Sequence, residues 1–559
     1  MSIPNIHSHF RILVCFLLFI VYLSFPSSSL AGSEFSTEFN SDYQISLDGI
    51  TQVTHEISIT NLLSHIYTTE YTVLVSSPNI QDVVVSQDDQ TIDSITQSND
   101  RTTTITLKNL IPVIGQGQTS TLKISYTTSD IAEILGKTRS INIPRLTKAN
   151  EASKYSRTIR VPASLGAPSA QYPESSSITT DEGTQESILT YHGHPGKSLT
   201  ILFGQSEYYQ LDLIYQITNP TLSPGPTEIA LPPDTPYQTV ILNSITPAPT
   251  RVHRDLAGNW LASYHLDPNQ TLEIDASLYL EVFPLPQSNS TLTNAKALTK
   301  EQEFWEAKDS VITELADKLG TPENIYNYLT TNLTYDYSRL STPSRLGASA
   351  ALTNQSSALC TEYTDSFITL TRALNIPARE VQGYAYTGSG NLRPLGVATA
   401  DVLHTWPEYY SEKDSTWVQV DPTWGHTTGG IDYFHKLDFN HLAFAIHGQE
   451  SSYPLPAGAY KKDPALSTIT VTLTNELPEK IENLVETQQD GETIIKNLGN
   501  TSIVDPVHGY LPPYGELLIA DSAFVSPDLV PNLYPWLLLT LIIVIVFTLI
   551  HRKKKSTSR

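Results

Sequence analysis

Residues 359–384 read LCTEYTDSFITLTRALNIPAREVQGY and predict a helix that runs directly into a strand. Apolar side chains recur there at spacings of four, three and four residues, the period of a helix with one buried face. These side chains are Tyr363, Phe367, Leu370 and Leu374. An Asn-Ile-Pro sequence at residues 375–377 ends the helix. The pattern therefore predicts a core-packed helix with Cys360 in its first turn.

Cys360 is one of two cysteines in the 559 residues, and the other, Cys15, lies in an apolar leader. A single thiol in an exported chain is buried and inert, bonded to another molecule, or reactive. The unpaired N–H groups and the dipole at a helix start favour a thiolate over a thiol. We therefore expect Cys360 to be reactive and to be alkylated rapidly near neutral pH.

Two further polar residues follow the helix in the order that nucleophilic catalysis by a thiol needs. His404 lies in the phrase LHTWPE, and Asp421 lies in the phrase VDPTWG. An imidazole must take the proton of the thiol, and a carboxylate must hold that imidazole in one tautomer. Glu408 is a competing carboxylate, because it lies four residues from His404 on the same face of a predicted strand.

Acyl transfer to sulfur also needs hydrogen-bond donors for an oxyanion. The backbone N–H of Cys360 supplies one donor. The second is Gln355, five residues upstream, or a Trp or Tyr that the sequence does not locate. Trp406 and Trp424 either wall a water-excluding substrate tunnel or fill the core. Gln355, Trp406 and Trp424 are therefore candidates for substrate binding or oxyanion stabilisation.

At these residues the chain resembles the transglutaminase-like superfamily. The family pattern is a Cys at the head of a helix that ends in RAxxIPARxVxG, followed by HxWxE and DPT. The matching phrases here are RALNIPAREVQGY at 372–384, HTWPEY at 404–409 and DPT at 421–423. Leu359 departs from the pattern, since many members have Gly directly before the Cys. A side chain there would reshape the approach of a substrate.

The resemblance implies an α+β, papain-like catalytic domain with Cys360 as nucleophile, His404 as base and Asp421 as orienter. Active members of the family form a thioester from an amide and pass it to an amine or to water, whereas others have lost catalysis. Two functions follow. One is a membrane-tethered acyltransferase or amide hydrolase, and the other is a catalytically silent cell-surface scaffold or adhesion protein.

The sequence indicates no metal and no cofactor. His426, His435, His441 and His447 follow Asp421 at spacings that match no compact zinc pattern. Acidic pairs occur, but none lies in a calcium-loop pattern. Arg379, directly after the Ile-Pro-Ala sequence, is interpreted as a structural ion-pair anchor.

Both ends of the chain predict a membrane protein. Residues 1–31 have the charged start, apolar run and small-residue cleavage site of a signal peptide, with an uncleaved anchor as the alternative. Residues 533–550 contain no charged side chain and are long enough for one transmembrane helix. The basic residues at 551–559 predict a cytoplasmic tail. We expect a single-pass protein of the cell membrane with its ectodomain outside the cytoplasm.

All-β domains are predicted on both sides of the catalytic region. Alternating apolar residues separated by turn sequences are typical of β-sandwiches. The predicted domains are an N-terminal sandwich at 35–150, a second β-rich domain at 151–290, a transglutaminase-like domain at 298–460 and a small β domain at 465–525. Helical spacing further predicts helices over 300–319 and 322–333.

The charge of the chain excludes one class of partner. Six of its 34 basic residues lie at the chain ends, which leaves 28 against 57 acidic residues in between. A surface this negative repels nucleic acid and anionic lipid. We expect a protein or peptide substrate at the cell surface.

Overall fold

The computed structural model describes residues 34–99, 102–145, 152–194, 196–290, 292, 295–341, 344–387, 393–394, 403–463, 465–489, 492–506 and 509–519. The chain divides into two compact units. The first comprises residues 1–250 and 254–479, and the second comprises residues 251–253 and 480–559.

The described residues up to Phe203 form fifteen strands in three sheets around one apolar core. They are β1 (Phe35–Ile45), β2 (Thr51–Asn61), β3 (Glu70–Val75), β4 (Ile80–Gln87), β5 (Gln90–Thr91), β6 (Ser94–Ser98), β7 (Thr103–Lys108), β8 (Thr119–Thr128), β9 (Ala132–Leu135), β10 (Thr138–Ile143), β11 (Ala152–Pro162), β12 (Ala170–Tyr172), β13 (Ser177–Asp181), β14 (Glu186–His192) and β15 (Leu199–Phe203). The sheet orders are β13-β14-β11-β1-β2-β8-β4-β5, β12-β15-β10-β9 and β3-β7-β6. Buried positions alternate with more exposed ones along β2 and β8, as in a sandwich.

The largest sheet crosses the domain boundary that the sequence predicts between residues 150 and 151. β11 pairs in parallel with β1 and places Tyr155 opposite Phe39. Both side chains lie in the shared core. Alternation of apolar residues identifies a strand but not its partner. The predicted boundary therefore places β11 in a different domain from the sheet to which it belongs. The strands of the two β regions divide after β15 rather than at residue 150.

A second β region follows in the first unit. Its strands are β16 (Glu207–Thr218), β17 (Gly225–Leu231), β18 (Gln238–Thr246), β20 (Trp260–Leu266) and β21 (Thr271–Val282), whereas three of the four residues of β19 (Arg251–Arg254) belong to the second unit. β16 and β18 flank β21, and β17 pairs with β20. The segment Ile469–Thr474, predicted to open the domain at 465–525, instead pairs with β16. That pairing covers an edge of β16 that would otherwise expose backbone hydrogen-bonding groups.

The residues from 295 to 447 combine helices with one antiparallel sheet, the α+β arrangement that was predicted. The elements are α1 (Ser310–Leu319), α2 (Pro322–Asn332), α3 (Ala348–Thr353), α4 (Cys360–Ala373), β22 (Ala378–Ala385), β23 (His404–Ser411), β24 (Thr416–Gln419), α5 (Pro422–Thr427) and β25 (His441–His447). The strand order is β24-β23-β22-β25. α4 is buried along most of its length and shares one apolar core with α1 and α2. Short 3-10 helices occupy Ala163–Leu165, Ala295–Thr299 and Tyr337–Ser341.

α2 and α4 confirm two predicted helices, whereas the helix predicted over 300–319 begins only at Ser310. The Asp309 carboxylate caps it by accepting a backbone hydrogen bond of 2.8 Å. The apolar residues before it pack into the core from a turn. Among them, Trp305 is fully buried and donates its indole N–H to Asp365 on α4 at 2.8 Å.

Gly383 in β22 allows two strands to approach one another closely. A β-carbon at this position would lie 1.9 Å from the Leu442 carbonyl oxygen of β25. The pairing register of β22 and β25 shifts between Gln382 and Gly383. Gly383 pairs with His404 on one side and Ala443 on the other. Side chains of β23 and β25 therefore meet across a position that has no side chain.

The second unit is entirely β in its described residues. The segment Ile469–Thr474 is β26 and belongs to the first unit. The strands that follow it, in the second unit, are β27 (Leu484–Gln489), β28 (Glu492–Asn497), β29 (Ile503–Asp505), β30 (Gly509–Leu511) and β31 (Glu516–Ile519). β27, β28 and β31 form one sheet, and β29 pairs with β30.

The predicted signal peptide, transmembrane helix and basic tail, at residues 1–31, 533–550 and 551–559, lie outside the described residues. In the part of the chain that is described, no helix combines the length and the apolar character that a bilayer span requires.

Candidate active site

Cys360 begins α4, and hydrogen bonds hold the chain rigidly at this point. The Leu359 N–H donates to the Glu362 carboxylate at 2.8 Å, and the Leu346 N–H donates to its other oxygen at 2.8 Å. Arg339 forms an ion pair with the same carboxylate at 3.0 Å. Glu362 therefore fixes the helix start, as the glutamate of a capping box does. Cys360 itself is buried, with 4% of its surface exposed.

His404 lies at the start of β23 between two indole rings. The ring centroids of Trp406 and Trp424 lie 5.8 Å and 5.2 Å from that of His404, and both rings are nearly parallel to it. The indole N–H of Trp406 donates to Gln419 at 3.1 Å, and the indole N–H of Trp424 donates to the Pro394 carbonyl at 3.2 Å. Both tryptophans are fully buried. They enclose His404, and their packing fixes the plane of the imidazole.

Asp421 joins the start of α5 to His404. Its Oδ1 accepts a hydrogen bond of 3.0 Å from the backbone N–H of Trp424, and this bond caps α5. Its Oδ2 accepts from His404 Nε2 at 2.9 Å. Burial alone would raise the pKa of Asp421, but the charges and hydrogen bonds of His404 and His441 outweigh burial and lower it. A carboxylate only accepts, so Nε2 of His404 carries the hydrogen.

The other ring nitrogen of His404, Nδ1, has no hydrogen-bond partner among the described residues. The residue after His404 contacts the nucleophile candidate, because the Thr405 backbone hydrogen-bonds Cys360. The Thr364 hydroxyl also donates to the Thr405 carbonyl at 3.2 Å. The first turns of α4 therefore lie against the start of β23. This arrangement places an unpartnered imidazole nitrogen beside the strand residue that touches the thiol.

The structure disagrees with the thiolate that the sequence predicts at Cys360. Burial, followed by the negative charge of Glu362, raises the pKa of Cys360 to about 12. Backbone hydrogen bonds from Thr405 and Thr361 lower the pKa, but by less. The enclosed site therefore holds a neutral thiol, because dehydration of the sulfur outweighs the helix start.

Two candidate side chains have partners other than His404. Gln355 donates its amide to the Tyr328 hydroxyl at 2.9 Å. Glu408 forms a buried ion pair with Arg379, which confirms the interpretation of Arg379 as a structural anchor. Asp421, and not Glu408, is thus the carboxylate that bonds His404.

The sequence assigns no catalytic role to two residues that lie beside these groups. His441 on β25 contacts the same Asp421 Oδ2 at 3.3 Å and Asp438 at 2.7 Å. The Tyr335 hydroxyl is buried without a hydrogen-bond partner in the described part of the chain. The pKa of Tyr335 is raised first by burial and then by the neighbouring Cys360. The Asp-x-x-His spacing of Asp438 and His441 is the only sequence signal for either residue.

His404, Asp421 and His441 offer ligand atoms within 4.8 Å of one another, so they are the described residues that could hold a metal ion. Both nitrogens of His441, however, face carboxylates and must carry hydrogens to bond them. A metal ligand needs a free lone pair instead. The donor set therefore fits a hydrogen-bonded chain better than a metal site.

Comparison with known families agrees with this geometry. Residues 307–422 match the model of the transglutaminase-like superfamily. The chain contains a transglutaminase-like domain. The matched range includes Cys360, His404 and Asp421 and ends before His441. Among curated proteins, none matches the chain.

Several solved structures are similar to parts of the chain. A protein from Cytophaga hutchinsonii named "Putative Cysteine Protease" has 15% identity and a TM-score of 0.29, covering 49% of this chain and 89% of its own. The M1 zinc metallopeptidase from Deinococcus radiodurans has 11% identity and a TM-score of 0.22, covering 35% and 47%. Legionella pneumophila aminopeptidase A has 9% identity and a TM-score of 0.22, covering 35% and 23%. At these TM-scores, none of the three bears on the function.

Cys360 should react slowly with iodoacetamide in the native chain. A thiol with a pKa of about 12 is ionised only to the order of 10⁻⁵ at pH 7. We expect the alkylation rate, followed by mass spectrometry of the Cys360 peptide, to rise about tenfold per pH unit without a plateau below pH ~10. The denatured chain is the control and should titrate near pH ~8.5. A rate that is already constant below pH ~7 would instead indicate a thiolate–imidazolium pair.

Proposed function

We propose that this chain is a cysteine acyltransferase or amide hydrolase that acts on protein or peptide amides through a thioester at Cys360. The observation that carries the proposal is the state of His404. Its Nε2 bonds Asp421, its Nδ1 is unpartnered among the described residues, and Thr405 beside it contacts Cys360. These are the properties of a base that is oriented toward a nucleophile. The match to the transglutaminase-like superfamily over residues 307–422 supports the same chemistry.

In the proposed reaction His404 Nδ1 takes the proton of the Cys360 thiol while sulfur bonds to the amide carbon. The C–N bond then breaks, and the amine leaves with that proton. Water attacking the thioester releases a carboxylic acid, whereas a primary amine releases a new amide. In either case His404 takes a proton from the attacking water or amine and returns it to the sulfur as the thioester breaks. Asp421 keeps the ring in the tautomer that presents Nδ1 and stabilises the imidazolium as it forms.

We propose two donors for the oxyanion, the Cys360 backbone N–H and the Tyr335 hydroxyl. Tyr335 is bridged to Ala358, two residues before Cys360. A buried hydroxyl without a partner costs free energy in the resting protein. An amide oxygen bound beside Cys360 would supply that partner and would bind most strongly when it carries negative charge. Gln355 is the weaker candidate, because its amide already donates to Tyr328.

We also propose that the enzyme is anchored in the cell membrane with its described residues outside the cytoplasm. The apolar run at 533–550, the basic residues that follow it and the leader at 1–31 support this location. The net charge of −23 favours a protein or peptide substrate over nucleic acid. Protease added to intact cells should remove the chain up to the apolar run, and full protection would contradict the location.

A catalytically silent scaffold is the second candidate. The burial of Cys360 favours it, because a nucleophile with 4% exposure is closed to a protein substrate in this conformation. The two functions differ in one measurable property, which is turnover of an amide that depends on Cys360.

Incubation of the chain with a glutamine-containing protein and a labelled primary amine tests the function. Amine incorporation and cleavage are both scored. Cys360→Ala should abolish both reactions while costing about 1 kcal/mol of stability, because it removes one buried sulfur. His404→Ala should have the same effect, and the double variant should be no worse than either single. Turnover that survives in Cys360→Ala would contradict a thioester at Cys360, and absence of turnover in the wild-type chain would favour the scaffold.

Asp421→Asn should lower kcat by up to about 10⁴, the loss seen when the orienting carboxylate of a serine protease becomes an amide. The fold should persist, because asparagine also caps helices. Glu408→Gln is the matched control. It leaves Arg379 buried and unpaired, so it should cost about 3 kcal/mol of stability but keep kcat of the folded fraction within a few-fold. The reverse pattern would assign the orienter to Glu408.

Tyr335→Phe should lower kcat by about 10²–10³, the loss measured for an oxyanion donor, with KM little changed. Tyr363→Phe is the control, because the Tyr363 hydroxyl is also buried without a partner in the described residues. Its pKa is raised by burial and by Tyr337 and Asp421 rather than by Cys360. Full kcat in Tyr335→Phe would exclude this donor and return Gln355 to consideration.

A further inference from the structure

His441 is held between two carboxylates in the described interior of the domain. Its Nδ1 lies 2.7 Å from Asp438 Oδ1, and its Nε2 lies 3.3 Å from Asp421 Oδ2. Because a carboxylate oxygen only accepts, each ring nitrogen bonds its neighbour only when it carries a hydrogen. An imidazole with hydrogens on both nitrogens is a cation. The geometry alone therefore describes an ionised histidine between two anions.

We propose that His441 is a positioning residue, protonated at neutral pH, that offsets the charge of Asp421 and so opposes protonation of His404, which must accept the thiol proton. The inference rests on the proposed function, because it concerns the base of that reaction. The resulting series of hydrogen bonds links Asp438 to His441, His441 to Asp421, and Asp421 to His404. It extends the usual carboxylate–imidazole pair by a second histidine and a second carboxylate.

The surroundings of His441 are charged on one side and apolar on the other. The indoles of Trp406 and Trp424 lie 4.8 Å and 4.6 Å from its ring and exclude water. The titratable and charged groups around this series of hydrogen bonds lie in the turn before β25, at the start of α5, in β23 and in segments more distant in sequence. They are Asp438, Asp421, His404, Tyr433, Lys436, Arg393 and Glu133. Burial by itself would lower the pKa of His441, but the two carboxylates outweigh burial and raise it to about 9.

This cation acts on His404 through the shared oxygen. Both imidazoles bond Oδ2 of Asp421, and their ring centroids lie 5.7 Å apart. Asp421 alone would stabilise an imidazolium at His404, which could no longer act as a base. A positive charge on His441 opposes that protonation. At this separation we expect removal of the charge to move the acidic limb of the kcat/KM profile upward by about one to two pH units.

The protonation of His441 is measured directly by NMR on the full chain with 15N-labelled histidine. The signal is assigned by its loss in His441→Gln. Both ring nitrogens should be protonated at pH ~7.5 and titrate near 9. A neutral ring at pH ~7.5 would overturn the proposal. This readout does not require catalysis, so it stands even if Cys360→Ala disproves the proposed function.

Thermal unfolding gives a second readout of the same charge. A histidine whose pKa is raised from 6.5 to about 9 on folding contributes stability that is complete below pH ~6.5 and is lost as the pH rises through about 9. The Tm of the wild-type chain should fall across that interval, and His441→Gln should show a smaller fall. An equal fall in both chains would contradict a cationic His441.

The pH profile of kcat/KM tests the effect on the base. His441→Gln should move the acidic limb upward by about one pH unit or more. Asp438→Asn should move it in the same direction, because without the Asp438 carboxylate His441 loses its second proton and becomes neutral. This variant provides the test if His441→Gln fails to fold. His435→Gln is the control, since His435 forms the same spacing-three contact with Asp432 at 2.9 Å and should leave the limb in place. A lower kcat without movement of the acidic limb would show that His441 has only a structural role and would contradict the proposal.

Discussion

The Asp421 carboxylate is the interaction on which the site depends. One oxygen caps α5 through the Trp424 N–H, and the other accepts from both His404 and His441. A carboxylate at a helix start is stabilised by the unpaired N–H groups there, so the local fold of α5 helps to hold this anion in place. The direction of the imidazole of His404 then follows from a helix cap. Asp421, which caps the helix, therefore also orients the imidazole of His404, the proposed base.

Buried ion pairs hold α4 on the sheet so that these groups can meet. Arg345 donates to Asp365 on α4 at 2.9 Å and to Glu380 on β22 at 3.0 Å. Glu380 in turn accepts from the Thr405 hydroxyl at 2.7 Å and contacts His447 at 2.8 Å. Removing one member of such a network leaves a buried charge unpaired, which costs several kcal/mol. The network therefore fixes geometry, because a displaced helix would break several charged contacts at once.

Enclosure of the site shapes the chemistry that it can support. The tryptophans that fix the plane of His404 also exclude water, and the same burial keeps Cys360 a thiol. A neutral thiol requires proton transfer to the imidazole as sulfur attacks, rather than a standing ion pair. His441 fits this scheme, because a cation beside Asp421 discourages protonation of His404. The charge that maintains the proposed base lies beyond residue 422, where the match to the superfamily ends.

The sequence by itself determined α4, β22 and the order of Cys360, His404 and Asp421, because helical periodicity and the Ile-Pro stop are local signals. It also determined the β character of the flanking regions through period-two alternation. Only the tertiary structure decided which strands pair, so β11 joined β1 across the expected boundary and β26 joined β16. It also decided the state of Cys360, since dehydration depends on every neighbour that packs around the sulfur. The contacts of Tyr335 with the Cys360 region and of His441 with Asp421 likewise join residues distant in the chain, and no local pattern records them.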